Sequence, residues 1–303
     1  ALDAFGVHGV GGTLGGSIEI LDKFEPLETL ERLKHGGITG IFMVPTHFQM
    51  IFDLPKSQTD PFRRPPIRTI ISNAAPLPQA MKHKIIEWFG DGILHEIYAS
   101  TESGVVCNMR PEHQLLKERC VGTPMAHCFV EIRRPDGSIC DVDEVGELFS
   151  RSPANFNGYW NRPEDTAANI VDGWFRTGDI AEMDAEGYFT IVDRKKDMII
   201  VSGFNVYPNE IEERIAELPG VLEVGVVGIP DDKSGESVRA YIVATQTPPT
   251  EAAVLAHCRE ALAAYKVPKS VRFVDELPKS PIGKILRREL RAPYWEGRER
   301  AVN

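Results

Sequence analysis

Apolar residues in the first part of the chain follow helical and strand patterns in alternation. Leu27, Leu30 and Leu33 share one face of a predicted helix, which Gly36 ends. Continuous apolar runs between such segments are typical of strands buried on both faces. The predicted strands are residues 17–21, 38–44, 67–71 and 93–98. One predicted helix begins at Pro45, and another spans residues 79–89. This alternation predicts a parallel sheet covered by helices.

The pattern changes after about residue 122, where strand-like segments are separated by tight-turn signals. Asp136 and Gly137 form one such signal, and Glu186 and Gly187 form another. These hairpins predict a small antiparallel sheet or a barrel-like subdomain. The strand-like segments are residues 129–133, 145–151 and the two halves of 180–192.

A third pattern begins near Lys195 and mixes helices with strands. It predicts a compact α+β domain that ends in a polar tail. The predicted helices are residues 209–218 and 251–264, and the predicted strands are residues 221–228, 238–244 and 271–274.

Together the three patterns predict an α/β fold followed by an α+β fold. Residues 1–194 would form one large domain, divided into a partial parallel α/β subdomain (1–120) and a β-barrel-like subdomain (121–194). Residues 195–303 would form a small, mobile C-terminal α+β domain.

Polar residues that could bind a ligand or take part in catalysis lie at the end of the predicted strand at residues 93–98. Tyr98, Ser100, Thr101 and Glu102 occupy this exit, and the carboxyl ends of parallel strands face the ligand crevice. An aromatic face can stack a base, a hydroxyl can contact a phosphate and a carboxylate can hold a divalent cation. An ordinary exit from strand to loop explains the same residues equally well.

Two further motifs lie near the boundary between the predicted domains. Asp179 follows Gly178, and a carboxylate at such a turn can accept both hydroxyls of a ribose or simply cap its own turn. Residues 193–208 place charges before an apolar strand and a glycine-containing loop. This segment is either a hinge or a solvated linker.

A fourth motif places Lys284 directly after Gly283 within the basic residues 278–288. A lysine on an exposed loop can reach an anionic site and act there as a point charge. A basic surface tail is the alternative interpretation.

The order and wording of these motifs resemble the adenylate-forming superfamily, which includes acyl-CoA synthetases, firefly luciferase and peptide-synthetase adenylation domains. The resemblance covers essentially all 303 residues. It implies that the protein binds ATP and a carboxylic acid, forms an acyl-adenylate and releases pyrophosphate. A rotation of the small domain would then let the thiol of coenzyme A attack the mixed anhydride, giving a fatty or aryl acyl-CoA.

The resemblance also implies roles for particular residues, and we carry them over as expectations. Lys284, Glu102 and Thr101 are the expected catalytic residues: Lys284 would bridge the acyl carboxylate and the α-phosphate, Glu102 would hold Mg²⁺ and Thr101 would contact the phosphate. The expected cofactor-binding residues are Asn73, Ala74, Ala75 and Pro76 in the loop at the adenine and acyl site, Tyr98 stacked on adenine, Asp179 and Arg194 on the ribose, Lys196 at the hinge, and Gly203 in the loop that lines the pantetheine tunnel.

The sequence departs from the family pattern near its start. The Ser/Thr/Gly-rich loop that ends in lysine and wraps the β- and γ-phosphates is not found in these 303 residues. The glycine-rich residues 9–16 lack a following lysine and predict helix packing, and Asp3 falls where the family often carries a histidine. We therefore expect the first subdomain to be missing and the chain by itself to turn over negligibly.

The alternatives to an acyl-CoA synthetase are an acyl-AMP ligase, a luciferase-like adenylating enzyme or a non-catalytic fragment that binds nucleotide. The 34 basic and 44 acidic residues leave a net charge of -10, which argues against a nucleic-acid partner. The chain has no apolar run long enough for a membrane span, and its five cysteines include no CxxC pair. We predict a cytoplasmic protein with reduced thiols whose partners are a carboxylic acid, ATP and coenzyme A, with a homodimer as one option.

Overall fold

The computed structural model describes residues 15–280, 284–297 and 300. Two features singled out in the sequence, Asp3 and the larger part of the glycine-rich segment at residues 9–14, lie outside the described residues.

The first described region alternates helices and parallel strands, as the sequence predicted. Helices α1 and α2 each begin with a proline, whose fixed φ suits the first helical position. Leu30 and Leu33 of α1 are buried in the core of this region. The elements are α1 (Pro26–His35), β1 (Gly40–Met43), α2 (Pro45–Phe52), α3 (Lys56–Thr59), a 3₁₀ turn (Asp60–Phe62), β2 (Thr69–Ser72), α4 (Gln79–Phe89) and β3 (Leu94–Ser100). Strands β1, β2 and β3 pair in parallel.

An antiparallel set of strands continues the same sheet. Gly122 lies at the crossing of two of them with a φ of +90°, where an added Cβ would lie 2.0 Å from the carbonyl oxygen of Asn108, so only glycine fits. The elements are β4 (Gly104–Met109), a 3₁₀ turn (Pro111–His113), β5 (Cys120–Pro124), β6 (Phe129–Arg133), β7 (Gly146–Arg151), α5 (Pro163–Asn169), β8 (Ile170–Val171), β9 (Trp174–Met183) and β10 (Phe189–Arg194). The ten-stranded sheet has the order β1-β2-β3-β4-β5-β10-β9-β7-β6, with β8 paired to β9.

The C-terminal region forms a second sheet with helices packed against it. Its core is built from apolar side chains of the strands and of two helices, such as Ile211 and Val254. The elements are a 3₁₀ turn (Lys195–Asp197), β11 (Ile199–Val201), β12 (Phe204–Val206), α6 (Pro208–Ala216), β13 (Val221–Asp231), β14 (Gly235–Ala244), α7 (Glu251–Ala261), β15 (Ser270–Phe273) and α8 (Arg287–Trp295). The strand order is β12-β11-β14-β13, and β15 pairs with β14.

The chain divides into two compact units. The first comprises the described residues up to Thr177 together with Ala181–Ile191. The second comprises Gly178–Ile180 and the described residues from Val192 onward. The prediction of α/β followed by α+β is confirmed by this architecture. The domain boundary after residue 194 remains a prediction.

Two predicted elements were wrong. Residues 17–21 form no strand, because Ile18 and Ile20 are exposed and no described strand pairs with the segment. The C-terminal stretch that we predicted as a polar tail contains helix α8, whose Leu290 and Tyr294 pack against the core around Val227. A segment of alternating polarity forms no strand unless a neighbouring strand accepts and donates its backbone hydrogen bonds. Two apolar residues four positions apart lie on one face of a helix and are enough to pack it against a core.

No helix in the described part of the chain is long and apolar enough to cross a membrane. The five cysteines are all free thiols, and four of them are buried.

Candidate functional site

The exit of β3 forms a tight turn into β4 in the first unit. The two strands pair antiparallel, with Tyr98 opposite Cys107, and the register shifts after Tyr98. The hydroxyl groups of Ser100 and Ser103 lie 2.7 Å apart, and the backbone N–H of Ser103 donates to Ser100 Oγ at 3.1 Å. These bonds fix the turn and leave Thr101 exposed at its tip.

Glu102 is held in this turn by a second loop of the first unit. The Tyr159 hydroxyl donates to Glu102 Oε1 at 3.0 Å, and the backbone N–H of Phe156 donates to the Glu102 carbonyl at 2.7 Å. Burial raises the pKa of Tyr159 to about 12, and the bond to Glu102 adds to this shift. Tyr159 therefore stays protonated and orients the carboxylate, leaving Glu102 Oε2 for another partner.

The loop after β2 leaves from the same edge of the sheet as the β3 turn. Ser72 pairs with Glu96 in the parallel register, so the loop of Asn73, Ala74, Ala75 and Pro76 starts one residue before the level of Tyr98. Ala74 has a φ of +75°, a conformation that favours glycine, so its backbone is strained.

A buried ion pair fixes the C-terminal end of this loop. The Lys82 ammonium lies 2.6 Å from Glu96 Oε2, with the two side chains 1% and 6% exposed. Glu96 Oε1 accepts the backbone N–H of Leu77 at 3.0 Å. Glu96 thus ties β3, α4 and the end of the loop together.

Asp179 and Arg194 form an ion pair in the second unit. The Arg194 Nε lies 2.7 Å from Asp179 Oδ1, and Asp179 is only 4% exposed. The structure therefore brings together the two residues that the resemblance assigned to a ribose. The arginine fixes the orientation of the carboxylate that it binds.

The loop that carries Lys284 is closed at its base. The Lys284 backbone N–H donates to Ser280 Oγ at 3.1 Å, and the Ser280 N–H donates to the Lys284 carbonyl at 2.8 Å. The Leu286 N–H donates to the Pro278 carbonyl at 2.8 Å. These bonds fix the backbone at the point where the lysine side chain leaves it.

The Lys284 ammonium lies within the electrostatic influence of four charged groups of the second unit. Desolvation lowers the pKa of Lys284, Arg194 and Arg287 lower it further, and Asp179 and Asp197 raise it. The side chain remains accessible to solvent. The expected catalytic lysine thus interacts electrostatically with the expected ribose-binding pair.

The segment around Lys196 is fastened by arginines from the end of the chain. The Lys196 carbonyl accepts Arg291 Nη1 at 3.3 Å and Arg300 Nη1 at 2.9 Å, and Asp197 binds Arg291 at 2.8 Å. Lys196 lies in the 3₁₀ turn Lys195–Asp197, directly after β10.

Gly203 lies in the two-residue turn that connects β11 with β12. Ser202 and Gly203 have φ values of 51° and 86°, which is the conformation of a type I′ turn. Glycine at the second position removes the steric cost of this turn. The role of Gly203 at the pantetheine tunnel stays a prediction.

A bound Mg²⁺ is compatible with the first unit. The described residues contain no group of three or more His, Cys, Asp or Glu side chains that could hold a metal by themselves. Mg²⁺ usually keeps several waters and takes one or two carboxylates together with substrate phosphates. Glu102 supplies one such carboxylate, with Oε2 not engaged by Tyr159.

Sequence reasoning missed three residues that hold the expected site residues in place: Tyr159, Glu96 and Arg287. A signal was available for Tyr159, which lies in the aromatic segment after Asn155 and Phe156. No signal in the sequence pairs Arg287 with the residues it contacts, because they are far away along the chain.

Two family models match the chain. A model described as AMP-binding enzyme matches residues 4–160, and a model described as AMP-binding enzyme C-terminal domain matches residues 210–284. The two matches include every expected site residue except Asp179, Arg194, Lys196 and Gly203.

Curated relatives and solved structures agree with these matches. The chain is 45% identical to the long-chain-fatty-acid–CoA ligase of Yersinia pestis over 225 residues, which is 74% of this chain and 40% of the relative. It is 38% identical to the long-chain-fatty-acid–CoA ligase of Bacillus subtilis over 279 residues, which is 91% of this chain and 49% of the relative. This chain thus spans about half or less of these relatives' length.

A solved structure of ATP-bound MatB from Rhodopseudomonas palustris superimposes with a TM-score of 0.86 at 32% identity. The similarity covers 96% of this chain and 58% of the MatB chain.

Proposed function

Because the chain belongs to the family of AMP-binding enzymes, we propose that the protein activates a carboxylic acid with ATP and transfers the acyl group to coenzyme A. In the first step a carboxylate oxygen bonds to the α-phosphorus of ATP while the bond to pyrophosphate breaks. In the second step the thiol sulfur of coenzyme A bonds to the acyl carbon, the thiol proton is lost and AMP leaves. The fatty-acid ligases among the relatives support this proposal.

The electrostatic surroundings of Lys284 are the observation on this chain that supports the proposal. Adenylation brings two anions together, and a fixed cation between them stabilises the charge that develops in the transition state. Lys284 lies in the electrostatic field of Asp179 and Arg194, the residues proposed to bind ribose. From there Lys284 would bridge the α-phosphate and the acyl carboxylate.

In the first unit, the turn after β3 would bind the nucleotide and the metal. Tyr98 would stack on adenine, and Asn73, Ala74, Ala75 and Pro76 would line the adenine and acyl site from the adjacent strand end. The exposed Thr101 hydroxyl would donate to a phosphate oxygen.

Glu102 would hold Mg²⁺, and its partner Tyr159 would keep the carboxylate oriented toward the ion. When bound, the ion would neutralise phosphate charge as a Lewis acid.

In the second unit, Asp179 would accept the ribose hydroxyls while Arg194 orients its carboxylate. Lys196 is the proposed hinge, at which backbone rotation separates the two half-reactions. Gly203 would lie in the loop that lines the pantetheine tunnel. The turn at Ser202 and Gly203 presents backbone without a bulky side chain at Gly203, which suits a narrow tunnel.

The proposed substrate class is a fatty acid, with an aryl acid as the alternative. The test uses the whole protein that contains this chain, because these 303 residues by themselves are expected to turn over negligibly. It incubates that protein with ATP, Mg²⁺, coenzyme A and a panel of fatty acids of graded chain length and aromatic acids, and measures AMP release and acyl-CoA. We expect AMP release that depends on coenzyme A and is fastest with one fatty-acid length. AMP release with none of the acids would contradict acid activation. Acyl-adenylate that accumulates in the presence of coenzyme A would contradict the thioester step and favour an acyl-AMP ligase.

Localisation in the cytoplasm and assembly into a homodimer belong to the same proposal. The five free thiols support a reducing compartment. Fractionation of cells and size-exclusion chromatography with light scattering test the two statements separately. A monomer at all concentrations would contradict the homodimer.

A further inference from the structure

Arg287 connects the Lys284 loop to the segment around Lys196. It is the first residue of α8 and lies three positions after Lys284. Its guanidinium binds Glu212 through two nitrogens, with Nε at 2.9 Å from Oε1 and Nη2 at 2.5 Å from Oε2. The side chain is only 12% exposed. Such a bidentate pair fixes both the position and the plane of a guanidinium.

The remaining side of the guanidinium faces the segment on either side of Lys196. Arg287 Nη1 lies 3.6 Å from Asp193 Oδ1 and 3.5 Å from Asp197 Oδ2, and Nη2 also donates to Asn209 Oδ1. The Asp193 side chain is fully buried and accepts the backbone N–H of Asn209 at 2.9 Å. One arginine therefore bridges both ends of the proposed hinge segment.

Resting on the proposed function, we propose that Arg287 is a positioning residue that ties the Lys284 loop to residues 193–198, so that the proposed hinge and Lys284 move as one body. Arg291 and Arg300 reinforce this tie through the Lys196 carbonyl. Without these contacts, the Lys284 ammonium would be misplaced by about one ångström after a rotation at Lys196. A misplacement of that size lowers the reaction rate about 100-fold.

The charges of the cluster show why an arginine is required. Asp193, Asp197 and Glu212 converge on Arg287, and Arg291 shares only Asp197. Three carboxylates brought out of water need a cation with several donors in one plane. A lysine at this position would supply the charge but not the parallel bonds.

The test compares Arg287→Met with Arg288→Met, its exposed neighbour, in the two half-reactions. Adenylation is measured as acyl-adenylate formed without coenzyme A, and thioester formation is measured from supplied acyl-adenylate. We expect adenylation to fall about 100-fold in Arg287→Met and thioester formation to stay within about threefold. Arg288→Met should leave both steps unchanged. A merely structural role would lower both steps of Arg287→Met by the same factor, and that result would overturn the proposal.

Arg287→Lys covers the case in which Arg287→Met does not fold. It keeps the charge and loses the bidentate geometry, so adenylation should fall about tenfold in a folded protein. Unchanged adenylation in Arg287→Lys would refute the positioning role.

Hydrogen–deuterium exchange tests the tie without any activity. The amides of Lys284, Leu286 and Met198 are hydrogen-bonded in the two segments, and the amide of Asn209 donates to Asp193. In Arg287→Lys we expect faster exchange in both segments together, whereas in Arg288→Met neither should change. Faster exchange confined to α8 would count against the tie. If no acid supports AMP release by the unmodified protein, the proposed function fails while this exchange experiment still decides the role of Arg287.

Discussion

The candidate sites of the two units use different physical means. In the first unit, the turn after β3 combines an aromatic ring, hydroxyl groups and a single carboxylate, Glu102, which a neutral tyrosine orients. In the second unit, Asp179, Asp193 and Asp197 all lie in contact with arginines, and Asp179 and Asp197 influence Lys284 electrostatically.

The difference determines how each site should respond to substitution. Stacking and hydroxyl contacts recognise shape and depend little on ionisation. Buried charges act strongly but are stable only when they are paired, so the second unit needs Arg194, Arg287 and Arg291 around its carboxylates. We therefore expect substitutions in the second unit to act through charge and pH, and substitutions in the first unit to act through the metal and nucleotide affinity.

The largest expected effect comes from removing the lysine of the charged site. Lys284→Ala should lower the rate of acyl-adenylate formation by about 100- to 1,000-fold, because the fixed cation between two anions is lost. Thioester formation from supplied acyl-adenylate should change by less than about threefold. Lys279→Ala, in the same loop, is the control and should retain both steps. Equal losses in the two steps would remove the distinction between the units.

A smaller effect is expected at the carboxylate of the first unit. Glu102→Gln preserves the shape and the acceptor for Tyr159 but removes the negative charge that a divalent cation needs. The Mg²⁺ concentration for half-maximal adenylation should rise at least about tenfold, as a Mg²⁺ titration would measure. Tyr159→Phe removes only the orienting hydroxyl and should raise the half-maximal Mg²⁺ concentration by a smaller factor. An unchanged Mg²⁺ requirement in Glu102→Gln would exclude this carboxylate as a metal ligand.

Asp193 should make the stability of the protein depend on pH. Burial raises the pKa of Asp193 from its ordinary 3.8 to about 6, although Arg287 opposes the shift. Since the folded state binds this proton more tightly than the unfolded state, its contribution to stability rises as the pH falls through about 6 toward about 4. Asp193→Asn removes that dependence.

The measurement is urea unfolding of both proteins at two pH values. The difference in unfolding free energy between wild type and Asp193→Asn should shift by about 1 kcal/mol in favour of the wild type between about pH 7 and about pH 5. The exposed Asp232→Asn serves as the matched control. A shift of the opposite sign would mean that Arg287 dominates the ionisation of Asp193.

The smallest effect concerns the base of the Lys284 loop. Ser280→Ala removes the acceptor for the Lys284 backbone N–H and should lower adenylation about threefold, the cost of one hydrogen bond of modest net strength. Ser280→Thr keeps the hydroxyl and should retain the rate. A loss as large as that of Lys284→Ala would show that the loop backbone, and not the ammonium alone, controls the charged site.

Local elements were predicted well where the pattern was dense. Helix α4 (Gln79–Phe89) and strand β6 (Phe129–Arg133) occupy the predicted residues, because each has an apolar face of regular period and clear end signals. Helix α8 was missed because Leu290 and Tyr294 are surrounded by arginines and Pro293 lies within the helix. Its stability comes from packing on the second sheet, which the local pattern does not contain.

The candidate site divides in the same way. Asp179, Arg194 and Lys284 were expected from the wording of the motifs. In the second unit Asp179 and Arg194 form an ion pair, and both influence Lys284 electrostatically. The supporting contacts were not expected. Tyr159 lies 57 residues from Glu102, and Arg287 lies 75 residues from Glu212.

The sequence by itself determined the kinds of elements, their order and the motifs that lead to the family, because helix and strand periods and turn residues act over a few positions. Only the tertiary structure decided that β4 and β5 join the parallel and antiparallel strands into one sheet, and which charges meet. Buried charges must find partners wherever the folded chain brings them, and those partners are set by packing and desolvation over long separations in sequence. Arg287 is the clearest case, since its own motif marks only a basic stretch while its position binds Asp193, Asp197 and Glu212 together.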